Sequence, residues 1–409
     1  MNVAGAPRRL DAERRDAGAG VPSPEHVMAS LRQVSPGETL ARIAPYLGRY
    51  DIHGAVDHTP PDMRLIRSVE VLRERPRSGY LNLGKGFGRD AALVSGYMEA
   101  IEMCTIERAP EIAVLAAGEV GEGALVYTGP ERGVQSPSAV EPGRLLVRGV
   151  DLLYGSAIYA ACDHLFLPAD GSAPNPLLTT NGLASGNTLA EAQLHAVYEL
   201  IERHAFFLAV RQPETVARVR FEAMPAWLAD GVGEVESAGF GVDFFDLGRL
   251  HDVSVCQCAV VERRSGAGEG ARVHFGWGAH HVAAVAAVRS LCEAVQALSI
   301  RRACRLNDIP ASRLRGGMLI GADDLLRLRA ESSSREEMLY ARLSRAPETV
   351  VPFDRGAAAS MGADEAFDRV KLLMVLSGVP SLLCWTLSPG QRPFVVVRCE
   401  VPGFRTALH

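Results

Sequence analysis

Three glutamates lie in a stretch of sequence, residues 184–207 (ASGNTLAEAQLHAVYELIERHAFF), that otherwise has the pattern of a buried helix. At about 100° per residue, Glu191, Glu199 and Glu202 fall within roughly 120° of one helix face. Asn187 shares that face, as does His195, and apolar residues occupy the opposite side. Carboxylates that are packed together repel one another and raise one another's pKa, so this arrangement is costly unless a cation is bound.

The same pattern occurs 100 residues earlier in the chain. Residues 86–102 (GFGRDAALVSGYMEAIE) align with 186–202 (GNTLAEAQLHAVYELIE), and Glu99 and Glu102 then match the second and third glutamates of the later copy. Each copy reads as a glycine-containing turn that leads into a helix with two carboxylates three residues apart. If the two helices meet, four or five carboxylates converge.

A third, looser copy occupies residues 278–296 (GAHHVAAVAAVRSLCEAVQ), with Glu293 and Gln296 in the corresponding places. An internal repeat of this kind indicates that one strand–turn–helix unit is used several times in the fold.

Oxygen ligands without cysteine or paired histidine suit Mg²⁺, which proteins usually hold with a few carboxylates and the phosphates of a substrate. A bound phosphate also needs hydrogen-bond donors or positive charge. The candidates nearest in sequence are Lys85 in the GKG stretch, Arg89, Ser95, Asn187 and Arg203.

Simpler interpretations exist for several of these residues. Glu191 follows Thr188 by three residues, the spacing of a helix capping box. A single E-x-x-E pair is most often a solvated helix face. The GKGFG stretch lacks the G-x-x-x-x-G-K-[ST] order of a P-loop, so by itself it is a weak phosphate signal and a tight turn explains it equally. The pairs His280–His281 and Asp163–His164 suit local hydrogen bonding better than metal binding.

The whole chain has 409 residues, 47% hydrophobic and 22% charged, as in ordinary soluble globular proteins. A net charge of -5 gives no general electrostatic reason to bind nucleic acid or acidic membranes, and no signal peptide or obvious membrane span is present. The eight cysteines are scattered, which fits reduced thiols in a cytoplasm.

Strand-like apolar runs alternate with helical patterns from residue 80 onward, which predicts a mixed α/β (α+β) fold with a substantial sheet. Residues 1–24 lack an apolar core and read as a disordered tail. We therefore expect one large domain over residues 25–409, built from repeated strand–turn–helix units.

The three glutamate segments and the ending VVRCEVPG closely resemble the YcaO family, and the resemblance covers roughly residues 35–405. It implies a cleft between such helices that binds ATP and Mg²⁺, and an enzyme that phosphorylates a backbone amide oxygen of a peptide so that a nucleophile can replace it. The product is then a thioamide, an azoline or an amidine, with thioamide formation slightly favoured here. By resemblance, the Mg²⁺ ligands are Glu99, Glu102, Glu191 and Glu202. The nucleotide contacts are Ser95, Asn187, Glu199 and Arg203, of which Glu199 and Arg203 are the catalytic candidates.

The resemblance also implies partners, because the expected domain leaves no room for a fused leader-binding unit. We expect a precursor peptide as substrate and a separate TfuA-like, ThiF-like or leader-binding protein, with a homodimer as a further option.

One departure from the family pattern is Met103, where an arginine usually follows the E-x-x-E pair. It supports an alternative hypothesis, a nucleotide-binding scaffold or regulatory subunit without turnover. Generic nucleotide hydrolysis is a weaker third.

Overall fold

The structure is a computed structural model that describes most of the chain. The described residues are 32–74, 76–79, 81–129, 133–136, 140–175, 178–221, 224–262, 272–305, 334–351 and 361–405. The predicted tail, residues 1–24, lies outside them.

Eight α-helices are present among the described residues. They are α1 (Pro36–Ile43), α2 (Arg89–Glu107), α3 (Cys162–Leu165), α4 (Leu189–Arg211), α5 (Ala226–Ser237), α6 (Ala283–Arg305), α7 (Ser334–Leu343) and α8 (Ala363–Leu376). Ser35 caps α1, since its side chain accepts a hydrogen bond from the main-chain N–H of Glu38 over 3.2 Å.

The described strands form three sheets. The first is antiparallel and contains β1 (Ile52–Asp57), β2 (Ile66–Arg73) and β3 (Asn82–Phe87) in that order. The second has the order β13–β12–β11–β10–β14, with β10 (Ala217–Phe221), β11 (Phe240–Leu250), β12 (Val253–Glu262), β13 (Arg272–His280) and β14 (Glu348–Val351).

The third sheet has the order β6–β5–β8–β7–β15–β16–β9, and β4 pairs with β7 at its side. Its strands are β4 (Val114–Ala116), β5 (Leu125–Tyr127), β6 (Val134–Gln135), β7 (Leu145–Asp151), β8 (Ala157–Ala161), β9 (Leu183–Gly186), β15 (Leu383–Thr386) and β16 (Val395–Glu400). The predicted mixed α/β fold is therefore confirmed.

Each sheet contributes one strand that leads directly into a long helix: β3 into α2, β9 into α4, and β13 into α6. Two glycines that align in the sequence repeat make the close approach of strand and helix possible. A Cβ atom on Gly86 would lie 2.7 Å from Cβ of Ala91, and one on Gly186 would lie 2.6 Å from the main-chain N of Ala192. Real Cβ atoms do not come that close, so the first turn of each helix lies directly against its strand.

Helix α6 is the central helix of the protein. It packs against β12 and β13 on one side and contacts β2 and β3. By length and composition alone, residues Ala283–Cys304 could cross a membrane, although 72% of the apolar window is buried inside the protein. Burial of that extent is what the core helix of a globular protein shows, and it explains the long apolar pattern without a bilayer.

Candidate functional site

Carboxylates from the three long helices meet in one place between the sheets. The side chains lie close enough to influence one another's ionisation, across helices as well as along them. The cluster, called the carboxylate cleft below, consists of Glu99 and Glu102 from α2, Glu199 and Glu202 from α4, and Glu293 from α6.

Burial makes these carboxylates poor acids. It raises the pKa of Glu102 to about 8 and those of Glu99 and Glu202 to about 7. Neighbouring carboxylates raise them further, since Glu99 and Glu199 act on Glu102, and Glu293 acts on Glu202. Burial also raises the pKa of Glu199. Near neutral pH the cleft therefore holds protons that a bound cation would displace.

Two glutamates of α2 are oriented by hydrogen bonds to the strands of the repeat. The main-chain N–H of Leu83 in β3 donates to Glu99 Oε1 over 3.0 Å. The hydroxyl of Ser185 in β9 donates to Glu102 Oε1 over 2.5 Å. The second contact crosses from one repeat unit to another, so β9 positions a carboxylate of α2 as well as leading into α4.

Glu191 lies at the first turn of α4 and is 4% exposed. The Thr188 side chain caps the helix by accepting from the main-chain N–H of Glu191, which is half of the capping box. The Glu191 carboxylate accepts from the main-chain and side-chain nitrogens of Asn187, over 2.9 and 3.0 Å, and from the main-chain N–H of Gln33 over 2.6 Å. The Glu191 carboxylate therefore does not complete the capping box, in which it would accept a hydrogen bond from the main-chain N–H of Thr188.

Arg32 connects Glu191 to the rest of the cleft. Its Nη1 atom lies 3.7 Å from Glu191 Oε2, and both Glu102 and Arg289 are among its electrostatic neighbours. Asn187 is also held from outside the helix, because the Thr39 hydroxyl of α1 donates to Asn187 Oδ1 over 3.2 Å. The segment before β1 therefore closes one end of the cleft.

Positive side chains alternate with the carboxylates. Lys85 in β3 forms an ion pair with Glu293, and it also acts electrostatically on Glu99, Glu199 and Glu202. The Nε atom of Arg203 lies 3.9 Å from Glu199 Oε1, at the long end of the range for an ion pair. A triphosphate with its cation would therefore meet both signs of charge.

Ser95 lies half-buried on α2, one turn before Glu99. The structure thus places all of the candidates from the sequence on β3, α2, α4 or the turn before α4. The roles assigned to them by resemblance remain predictions.

Four residues at the cleft were not among the sequence candidates: Arg32, Ser185, Arg289 and Glu293. The third copy of the repeat indicates Glu293, because this residue occupies the position of Glu99 and Glu199. Arg289 lies one turn earlier on the same helix, and its charge acts on Glu202. Nothing local to Arg32 or Ser185 distinguishes them, since their role depends on contacts between distant segments.

Met103 does not belong to the charged cleft. Its side chain is 3% exposed and lies in an apolar cluster with Met98, Cys104 and Ile106. A guanidinium in this environment would be buried among apolar side chains, which costs free energy unless a carboxylate pairs with it. The departure from the family pattern at this position is therefore a change of core packing.

Members of both pairs, His280–His281 and Asp163–His164, form hydrogen bonds within the protein. The Tyr198 hydroxyl lies 2.5 Å from His281 Nδ1, and His280 Nδ1 accepts from the main-chain N–H of Val282 over 3.0 Å. Asp163 binds the side chains of Arg144 and Asn175.

Tightly grouped potential metal ligands occur elsewhere. Among the described residues, the one His/Cys/Asp/Glu group whose ligand atoms all lie within 4.8 Å of one another is Asp51, His53 and Glu74, which is largely exposed. Exposed acidic groups of this kind are common without an ion. The carboxylates of the cleft do not form so tight a group, which suits a hard cation that also takes phosphate oxygens as ligands. Their oxygen-only donor set and their buried charge fit Mg²⁺.

The chain is similar to known proteins in sequence and in structure. A curated relative from Rhizobium leguminosarum bv. trifolii, described as an uncharacterised protein in the tfuA 3′ region, is 26% identical over 410 residues, 92% of this chain and 89% of the relative. The structure of YcaO from Methanopyrus kandleri bound with AMPPCP and Mg²⁺ has a TM-score of 0.68 at 22% identity and covers 91% of this chain and 92% of that one. A heterocyclase in complex with substrate and cofactor has a TM-score of 0.66 at 17% identity and covers 92% of this chain but 53% of the heterocyclase.

At these identities the two structures show a shared fold. The family model described as YcaO cyclodehydratase, ATP- and Mg²⁺-binding, matches residues 83–405. Since that match begins within β3, at the start of the first repeat unit, and spans well over half of the 409 residues, the chain belongs to the YcaO family, whose ligands are ATP and Mg²⁺.

Proposed function

We propose that this protein uses ATP to phosphorylate a backbone amide oxygen of a ribosomal peptide, so that a nucleophile can replace that oxygen. The observation that supports this most is the carboxylate cleft, in which buried glutamates of three helices face Lys85 and Arg203. Such a site suits a nucleoside triphosphate and its cation. It also suits phosphoryl transfer, which needs positioning of the reactants and neutralisation of charge more than covalent catalysis.

The chemistry explains why an amide needs ATP. An amide carbonyl is a poor electrophile and its oxygen is a poor leaving group. Transfer of the γ-phosphoryl group to that oxygen makes it a phosphate leaving group, which departs when the tetrahedral adduct with the nucleophile collapses. The amide oxygen then leaves on phosphate, and the carbon keeps the nucleophile.

The site residues that the sequence predicts have the following roles in this proposal. Glu99, Glu102, Glu191 and Glu202 hold Mg²⁺, which when bound neutralises phosphate charge. Ser95, Asn187 and Lys85 contact the nucleotide. Glu199 and Arg203 are the catalytic pair beside the transferred group: Arg203 supplies positive charge to the phosphates, and Glu199 orients Arg203 across one helical turn.

The reaction class is proposed from a relative of this protein. Thioamide formation is our first choice, with azoline or amidine formation next, because a relative of similar length is encoded beside tfuA. On this basis we propose a precursor peptide as substrate and a TfuA-like partner, in preference to a ThiF-like or separate leader-binding protein, acting in the cytoplasm. Coexpression with any precursor-peptide and partner genes encoded beside this one tests this choice. Mass spectrometry of the peptide then shows replacement of oxygen by sulfur, or loss of water instead.

Nucleotide binding is the first step to test. Calorimetric titration with ATP should show binding that depends on Mg²⁺ for the wild type, and a loss of that dependence for Glu202→Gln, which removes one carboxylate charge at almost constant shape. Equal affinities with and without Mg²⁺, for both proteins, would defeat the site assignment.

A further inference from the structure

Phe404 stacks with two histidine rings that come from different elements. Its ring centroid lies 4.4 Å from that of His204 on α4, with the planes 11° from parallel. It lies 6.1 Å from that of His251, at 8°. The main-chain N–H of Arg405 donates to His204 Nδ1 over 3.0 Å. These three rings are called the aromatic clamp below.

A tight turn brings Phe404 to this position. Residues 401–404 read VPGF, and the N–H of Phe404 donates to the carbonyl oxygen of Val401 over 3.0 Å. Gly403 has a φ of 97°, which suits the third position of a type II turn with proline at the second. The chain that leaves β16 is therefore turned by Pro402 and Gly403 so that Phe404 reaches α4.

The other histidine lies in a two-residue hairpin turn. His251 and Asp252, between β11 and β12, have φ angles of 50° and 66°, and neither is glycine. Because a two-residue hairpin turn of type I′ needs a positive φ at both central residues, the turn itself accounts for these angles. Here the Asp252 carboxylate binds Arg249 and Arg369, over 2.7 and 2.5 Å. The turn and these ion pairs fix the place of His251 beside Phe404.

The clamp lies next to the site in sequence and in space. His204 directly follows Glu202 and Arg203 on α4. Further along, Leu208 is 39% and Val210 41% exposed, so core packing holds this end of α4 less firmly than its first turns.

We infer that Phe404 is a positioning residue, which acts through His204 to hold the turn of α4 that carries Arg203 in the orientation needed for the nucleotide. This inference rests on the proposed role of Arg203. The C-terminal segment thereby supports the site without contacting substrate.

A double-mutant cycle tests this route. Mg-ATP affinity is measured by calorimetry for the wild type, Phe404→Ala, Arg203→Ala and the double variant. We expect Phe404→Ala to weaken binding by roughly three- to tenfold. In the Arg203→Ala background the same change should have no further effect, because the residue on which it acts is absent. Phe404→Tyr keeps the stacked ring and should restore wild-type affinity.

Leu208→Ala provides the matched control, since it removes apolar contact from the same end of α4 outside the clamp. It should leave Mg-ATP affinity unchanged, and thermal unfolding verifies that each variant is folded. Wild-type affinity in Phe404→Ala overturns the inference, as does an equal loss in both backgrounds or an Arg203→Ala protein that binds normally. Failure of the wild type itself to bind Mg-ATP would count against the proposed function instead.

Discussion

Glu102 has the highest of the raised carboxylate pKa values at the cleft, and that has a consequence for stability. In the unfolded chain such a carboxyl ionises near 4.5, whereas burial raises the folded pKa to about 8. Between these values the folded state binds the extra proton, so the contribution of Glu102 to stability is complete at low pH and is lost as pH rises through about 8. Glu99 and Glu202 act in the same direction, with pKa values raised to about 7.

We predict that metal-free wild-type protein loses more stability than Glu102→Gln between pH 5 and pH 8.5, as measured by chemical denaturation. The comparison of the two proteins cancels opposite effects from buried histidines such as His280, whose pKa burial lowers. Saturating Mg-ATP should reduce the difference. The same pH dependence in both proteins would show that Glu102 does not ionise in this window.

Substitutions of Thr188 and Glu191 distinguish two roles of the first turn of α4, helix capping and ligand binding. Thr188→Ala removes the hydroxyl that caps α4, so it should cost about 1 kcal/mol in the free energy of unfolding and leave Mg-ATP affinity in the folded protein nearly intact. Glu191→Gln should instead weaken Mg-ATP binding more than tenfold, about the loss of one charge-assisted contact. A Glu191→Gln protein with normal affinity and reduced stability would return this residue to a structural role.

Substitution of Met103 tests the alternative hypothesis that the protein is a scaffold without turnover. Because its side chain is buried in an apolar cluster, Met103→Arg should destabilise the protein by about 3 kcal/mol or more, whereas Met103→Leu should cost less than about 1.5 kcal/mol. Denaturant unfolding measures both. An arginine variant that is as stable as the wild type and hydrolyses ATP faster in the presence of peptide would show that Met103 does limit turnover.

At the scale of elements, the repeat of strand, turn and helix could be predicted from the sequence because it is local. The glycine positions and the glutamate spacing lie within about 17 residues of one another in each copy. The repeat segment 86–102 predicts a helix after its glycine turn, and α2 spans Arg89–Glu107. The third copy places Glu293 at the position of Glu99 and Glu199, although Gln296 makes it a looser copy than the other two.

Gly186 offers a test of how closely strand and helix must approach. Gly186→Ala places a methyl group 2.6 Å from the main-chain N of Ala192 and from Cβ of Glu191, so it should destabilise the fold by roughly 1–3 kcal/mol and weaken Mg-ATP binding. Gly233→Ala in α5 is the matched control. Nothing lies within 4 Å of its added methyl, and alanine should stabilise a helix interior by roughly 0.5–1 kcal/mol. Equal effects of the two changes would contradict the close approach.

For the whole molecule, the sequence could not supply the relation between distant segments. The contacts of Arg32 with Glu191, of Thr39 with Asn187 and of Ser185 with Glu102 join parts of the chain that are more than 80 residues apart. The order of the large sheet, in which β9 pairs with β16 from the C-terminal end, is likewise a property of the assembled fold. Local periodicity carries no information on such pairings, so the site could be predicted as three helices but not as a closed cleft.

The central claim is that the γ-phosphoryl acceptor is a backbone amide oxygen, and an isotope experiment tests it most directly. A precursor peptide labelled with ¹⁸O at the target carbonyl is treated with the protein, its partner and Mg-ATP, and the released phosphate is analysed by mass spectrometry. The account predicts one labelled phosphate for each modified residue. Modified peptide that is accompanied only by unlabelled phosphate would contradict amide phosphorylation, because the oxygen would then have left by another route.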